Sequence, residues 1–220
     1  MNKDIQVQSL VNEFCLITVE QLKKLEPRQG VRRNLRRLVQ GRQIYCRVPK
    51  SKTEPYVFAP HKIDRKSQER IPHDLMITDI HIALRNTGLL RLWEQGKSTW
   101  RGKIHQDAFC IIENPNFKPP HNKFHFFIEA DTGVETYQEI GQKLRIYAAY
   151  PDKPFRVLFV TKKPLWASRL AKAAQFYIEE GLKKFFFFAQ EDEFLDEPLG
   201  NICSIPYEAA AHCILPKLYD

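Results

Sequence analysis

The chain has 220 residues, 43% hydrophobic and 27% charged, which is ordinary globular composition with room for one large core or two small ones. No apolar run approaches the ~20 residues that span a bilayer, and "MNKDIQVQSL" lacks the apolar stretch of a secretory signal. A cytoplasmic location without a membrane partner is therefore expected. The net charge of +8 is unevenly held: residues 1–72 carry 16 Lys and Arg against 7 Asp and Glu, a net of +9, whereas residues 73–220 carry 18 against 19.

That asymmetry assigns polyanion binding to the first third of the chain. Residues 4–15 read as a helix with Val7, Leu10, Val11 and Phe14 on one face. Thr18 is the expected N-cap of a short second helix, "VEQLKKL", which Pro27 closes. In "VRRNLRRLVQG", Val31, Leu35, Leu38 and Val39 form a core stripe, Arg32, Arg33, Arg36 and Arg37 fall on the other side, and Gly41 is the expected C-cap. "QIYCRV" and "PYVFAP" then read as two strands joined by the basic turn "PKSKTE". Three helices and a β-ribbon are the element order of a winged helix-turn-helix domain, expected over residues 1–60. Four arginines without an intervening acid repel one another on a solvated helix, but gain affinity against phosphates by releasing counterions. Contact with double-stranded DNA is expected from Arg32, Arg33, Arg36 and Arg37, with Lys50 and Lys52 on the wing.

Polar residues 61–72, "HKIDRKSQERIP", read as a linker. Beyond it the chain reads as a helix (73–87) and three strands, "LLRLWEQ", "QDAFCII" and "KFHFFIEA". A helix (134–150), the strand "FRVLFVT", a helix (165–180) and the strand "KKFFFFA" follow. Helix, three strands, helix, strand is the core order of the PD-(D/E)xK phosphodiesterase fold, a three-layer α/β/α sandwich expected over residues 73–220. The remainder, "QEDEFLDEPLGNICSIPYEAAAHCILPKLYD", reads as a loop and a short closing element.

The acids of this second region carry the chemistry. Asp107 opens one strand, and Glu129 and Asp131 end the next, across an expected hairpin. Adjacent strands lie about 4.8 Å apart, so these carboxylates can meet at one edge of the sheet. In that fold such acids, with a backbone carbonyl between them (here Ala130), hold Mg²⁺ or Mn²⁺, which neutralises a phosphodiester and acidifies a water. Asp79 is flanked on its helix by Leu75, Met76, Ile82 and Ala83. It is either a satisfied buried acid or a third metal ligand. The fold's usual lysine, two residues after Glu129, is replaced by Asp131. Lys143 on the following helix is the candidate to take its role, the alternative being a surface pair with Glu139. Lys143 and Tyr147 also echo a four-residue "QxxxY" spacing of some nucleases.

The histidines form no HxxxH or HExxH group, and GxxxxGK[ST], GxGxxG and GxSxG are absent. The five cysteines form no CxxC pair and read as reduced thiols.

Taken together, "HDLMITDIHIAL", "QDAFCII", "FFIEADTGVE…KLRIYAAY" and "FRVLFVT" behind a winged helix resemble the replication-relaxation family of mobile elements. The most specific parts are His73 with Asp79 and the strand end Glu129, Asp131, Gly133. The resemblance implies DNA binding, with mobilisation or replication proteins as partners; a second copy of the chain is a further candidate partner, bound by a scaffold domain in the non-enzymatic reading. Two functions stay open: a metal-dependent nicking endonuclease, and a non-enzymatic accessory factor or transcriptional regulator.

Overall fold

The computed structural model describes residues 3–27, 30–64, 68–99, 102–119, 121–151, 155–198, 200 and 203–204. Part of the 61–72 segment, Cys213 and most of the closing element lie outside the described residues. The chain divides into two compact units, Met1–Ile82 and Ala83–Asp220.

In the first unit, α1 (Lys3–Phe14), β1 (Ile17–Thr18), α2 (Val19–Leu25) and α3 (Val31–Gln40) precede a ribbon of β2 (Tyr45–Arg47) and β3 (Val57–Ala59). Val7, Leu10, Val11 and Phe14 of α1 close over Leu22 of α2 and Val31, Leu35 and Leu38 of α3, so each apolar stripe is consumed by one core. Thr18 caps α2 in a reciprocal box: its side chain accepts from the Gln21 N–H, and Gln21 Oε1 accepts from the Thr18 N–H. β1, too short to be signalled by any periodicity, pairs antiparallel with β3 and gives the three-stranded order β1-β3-β2. Glu54 pins the turn between β2 and β3, accepting from Arg47 Nη2 and from the Lys50 N–H, each at 3.1 Å. The helix α4 (Ile71–Asn86) begins in this unit and continues into the next.

The second unit is built on a six-stranded mixed sheet in the order β11-β10-β9-β8-β7-β4. Its strands are β4 (Leu90–Gln95), β7 (Ala108–Glu113), β8 (Lys123–Asp131), β9 (Arg156–Thr161), β10 (Phe186–Gln190) and β11 (Cys203–Ser204). β4, β7 and β8 form an antiparallel meander, while β8, β9 and β10 are parallel. The parallel pairs need crossovers, which α5 (Tyr137–Ala148) and α6 (Trp166–Ala174) supply. Both helices cover one face of the sheet, where Ile140, Leu144, Tyr147, Leu170 and Ala171 meet Phe127, Phe159 and Phe188. A small ribbon of β5 (Ser98–Thr99) and β6 (Ile104–His105) precedes β7.

Two elements differ from the expectation. The helix expected over 165–180 ends at Ala174, and the chain re-enters the sheet through a 3-10 helix, Glu180–Phe185. The acidic "EDEFLD" forms a short helix, α7 (Glu191–Asp196), with Glu191, Asp192 and Glu193 in its first turn, where the backbone N–H groups favour negative charge. Among the described residues no helix is long and apolar enough to cross a membrane.

Candidate functional site

The strand β8 is buried from Phe126 to its end, and Glu129 and Asp131 are each only 3% exposed. Two buried carboxylates on one strand must be satisfied or neutralised. The structure treats the two differently.

Asp131 is satisfied by its own neighbourhood. Its Oδ1 accepts from the Gly133 N–H at 2.8 Å and the Glu135 N–H at 3.3 Å, and its Oδ2 accepts from the Thr161 hydroxyl of β9 at 3.0 Å. Gly133 has φ +92, and a Cβ there would stand 3.2 Å from Lys163 Cβ, so the turn requires glycine. The same loop ends at Thr136, which N-caps α5 in a reciprocal box with Glu139. Asp131 therefore shapes the β8–α5 loop.

Glu129 faces a different set. Asp107, the residue before β7, donates its N–H to the Ile128 carbonyl at 3.1 Å, beside the Ala108–Ile128 pair. Asp107 also accepts from the Ala130 N–H through Oδ2 at 2.8 Å. From α5, Lys143 Nζ donates to Glu129 Oε2 at 2.7 Å, and the Tyr147 hydroxyl donates to Oε1. The four-residue spacing puts Lys143 and Tyr147 on one helix face, one turn apart. Lys143 is one-third exposed and also reaches Glu135 Oε1 at 2.6 Å. It does not pair with Glu139, whose carboxylate is used in the Thr136 cap.

Burial dominates the electrostatics of Glu129 and pushes its carboxyl up to about 7, with Asp107 adding to the rise and Lys143 opposing it. The Glu129 and Glu135 carboxylates hold Lys143 above its ordinary value, against the effect of its burial. Tyr147 is raised well above the usual tyrosine value, first by burial and then by Glu129.

Of the residues singled out in the sequence, Asp107, Glu129, Asp131 and Lys143 lie together in the second unit. Asp79 belongs to the first unit, where it is partly exposed and its Oδ1 is 3.5 Å from Lys24 Nζ. Glu135 and Thr161 were missed. No periodicity marks Glu135, and Thr161 joins Asp131 only through the parallel β8–β9 pairing.

In the first unit, Arg32, Arg33, Arg36 and Arg37 are all exposed on one side of α3, with Val31, Leu35 and Leu38 buried on the other. Arg37 pairs with Asp4 at 2.8 Å and Arg32 with Glu20 at 3.6 Å. Among the described residues Arg33 and Arg36 have no ion pair. Lys50 and Lys52 are exposed on the turn between β2 and β3.

The donors around Glu129 suit a hard cation, since the Asp107 charge is near enough to raise the Glu129 carboxyl and a cation between them would relieve that repulsion. Among the described residues no three His, Cys, Asp or Glu side chains already form a cluster able to hold a metal. Mg²⁺ commonly takes only one or two carboxylates and completes its shell with water and phosphate, so Asp107 and Glu129 fit that pattern.

The fold is thus a mixed α/β protein with a carboxylate and lysine cluster on one face of its larger sheet. The chain belongs to the replication-relaxation family, which matches residues 9–155. Membership points to a role in the replication or mobilisation of mobile elements. No curated protein and no solved structure matches the chain.

Proposed function

We propose that the protein binds double-stranded DNA of a plasmid or other mobile element through residues 1–60, a winged helix-turn-helix. The second unit, Ala83–Asp220, acts on it as a PD-(D/E)xK-like, metal-dependent nicking or cleaving endonuclease. The observation that carries the reading is that Asp107 bonds to the main chain on both sides of Glu129, at Ile128 and Ala130, with Lys143 at 2.7 Å from Glu129.

Support for the DNA-binding part comes from the element order and the sheet order β1-β3-β2, together with the exposed arginines of α3 and the lysines of the turn. In the second unit, Asp107 and Glu129, with the Ala130 carbonyl, would hold Mg²⁺ or Mn²⁺. The ion when bound neutralises charge on the phosphoryl oxygens and makes its water more acidic. Tyr147 fixes the orientation of the Glu129 carboxylate. Lys143 supplies a positive charge beside the attacked phosphate and orients the water, the role vacated at position 131. Asp131 keeps the loop behind Glu129 in place.

A second reading is favoured by a separate observation: both oxygens of Glu129 already accept hydrogen bonds. On that reading the cluster is structural and the protein is a DNA-binding accessory factor or regulator, with the second unit a scaffold for partners or a second copy.

Supercoiled plasmid incubated with Mg²⁺ or Mn²⁺ separates the two. Nicking by the wild type and not by an Asp107→Ala/Glu129→Ala variant is the expected result. Retained DNA binding without nicking under either metal selects the accessory factor.

A further inference from the structure

Lys143 has a second carboxylate partner that the proposed chemistry does not use. Its Nζ lies 2.7 Å from Glu129 Oε2 and 2.6 Å from Glu135 Oε1, so one ammonium bridges two acids on either side of the β8–α5 loop. The other oxygen of Glu135, Oε2, is buried and has no hydrogen-bond partner among the described residues. A half-buried acid with an idle oxygen is expensive unless its position is useful.

That position is built. Asp131 receives the Glu135 N–H on Oδ1 and anchors itself to Thr161 through Oδ2. Gly133 provides the left-handed turn between them, and Thr136 then starts α5 immediately after Glu135. The aspartate that replaces the usual lysine at 131 thus holds the loop that carries a carboxylate to the relocated lysine.

The bridge bears on cation binding. As it stands, Glu129 Oε2 is taken by an ammonium, and a divalent cation at Glu129 has to compete with it. Releasing Lys143 from Glu129 would leave a largely buried ammonium without a counter-ion if Glu135 were absent. With Glu135 in place the ammonium keeps one carboxylate throughout.

We propose that Glu135 is a positioning residue for Lys143: it retains the ammonium when Glu129 turns to a divalent cation, and so sets how readily Glu129 takes that cation. The proposal rests on the nuclease reading of the same site. It makes Glu135 a residue that acts through Lys143 and not a ligand.

The test is Mn²⁺ binding by titration calorimetry at one pH, on the full chain, for the wild type, Glu135→Gln, Glu135→Ala, Lys143→Met and Glu135→Gln/Lys143→Met. Circular dichroism establishes that each variant is folded, and the two replacements of Glu135 serve as checks on each other. In the presence of Lys143, losing the Glu135 carboxylate should weaken Mn²⁺ binding on the order of tenfold, because the ammonium then stays on Glu129. In the Lys143→Met background the same change should have no effect. Equal weakening in both backgrounds would make Glu135 a ligand and overturn the proposal, as would folded Glu135 variants with wild-type affinity. A wild type that binds no Mn²⁺ brings down the nuclease reading and the proposal together, whereas a binding wild type with indifferent Glu135 variants sinks the proposal alone.

Discussion

Asp107 bonds to the main chain on both sides of Glu129, at the Ile128 carbonyl and the Ala130 N–H, and its charge adds to the rise that burial imposes on the Glu129 carboxyl, to about 7. An unfolded glutamate titrates near 4.5, so the native state holds a proton on Glu129 that the unfolded chain has already lost. The sign follows: the contribution of Glu129 to stability is fully present below pH ~4.5 and is lost as the pH rises towards about 7. Urea unfolding at successive pH values should show stability declining over that window by up to a few kcal/mol. Glu129→Gln, which cannot ionise, should flatten the decline.

Removing Lys143 acts in the same window but with greater effect. Lys143→Met leaves the buried Glu129 without its cation, and above pH 7 the carboxylate has no means of neutralisation except protonation. The variant should lose ~2 kcal/mol or more at pH 8, and clearly less at pH 5, where Glu129 is protonated. Denaturation curves at the two values decide it. An equal loss at both would show that the ion pair contributes nothing and that only packing was removed.

Asp131 is predicted to matter for stability in a way that does not follow Glu129. Asp131→Ala deletes an acceptor for two backbone N–H groups and the Thr161 hydroxyl, and should cost about 2 kcal/mol or more at neutral pH. Thr136→Ala, which removes only the cap of α5, should cost about 1 kcal/mol. Thermal melts of both variants give the comparison.

For the first unit the measurement is salt dependence. If Arg33 and Arg36 face phosphates, Arg33→Gln/Arg36→Gln should reduce the slope of log affinity against log salt by roughly 2, and lower affinity uniformly across DNA sequences. An unchanged slope in fluorescence-anisotropy titrations would remove α3 from the interface.

The elements most legible in the sequence were those with an unbroken pattern. The α3 stripe, the Thr18 cap and the run from Phe124 to Ile128 each form the element their spacing dictates. The hairpin of β7 and β8 followed from two apolar strands on either side of a proline- and asparagine-rich loop. What escaped detection was short or non-local. β1 has two residues, and α6 stops before its apolar pattern does because the chain must turn back into β10. The acid-rich start of α7 was a usable signal, with Phe194 as its buried anchor. The contrast between Glu129 and Asp131 could not be read at all. They are alike in sequence, and only the partners supplied by α5 and β9 distinguish them.

The cluster around Glu129 is also contiguous along the chain: Asp107, Glu129, Glu135, Lys143 and Tyr147 belong to one hairpin and the helix after it. Its contacts close short loops, of 14 residues for Lys143 with Glu129 and 18 for Tyr147. The bond from Thr161 to Asp131 spans 30 residues and waits for the parallel strand β9. Loop-closure entropy favours the shorter contacts, and parallel pairing is intrinsically slow. During synthesis the hairpin and α5 leave the ribosome before β9 and β10 do. The charged centre can therefore assemble on a half-built sheet, and its arrival does not depend on the slowest step of folding.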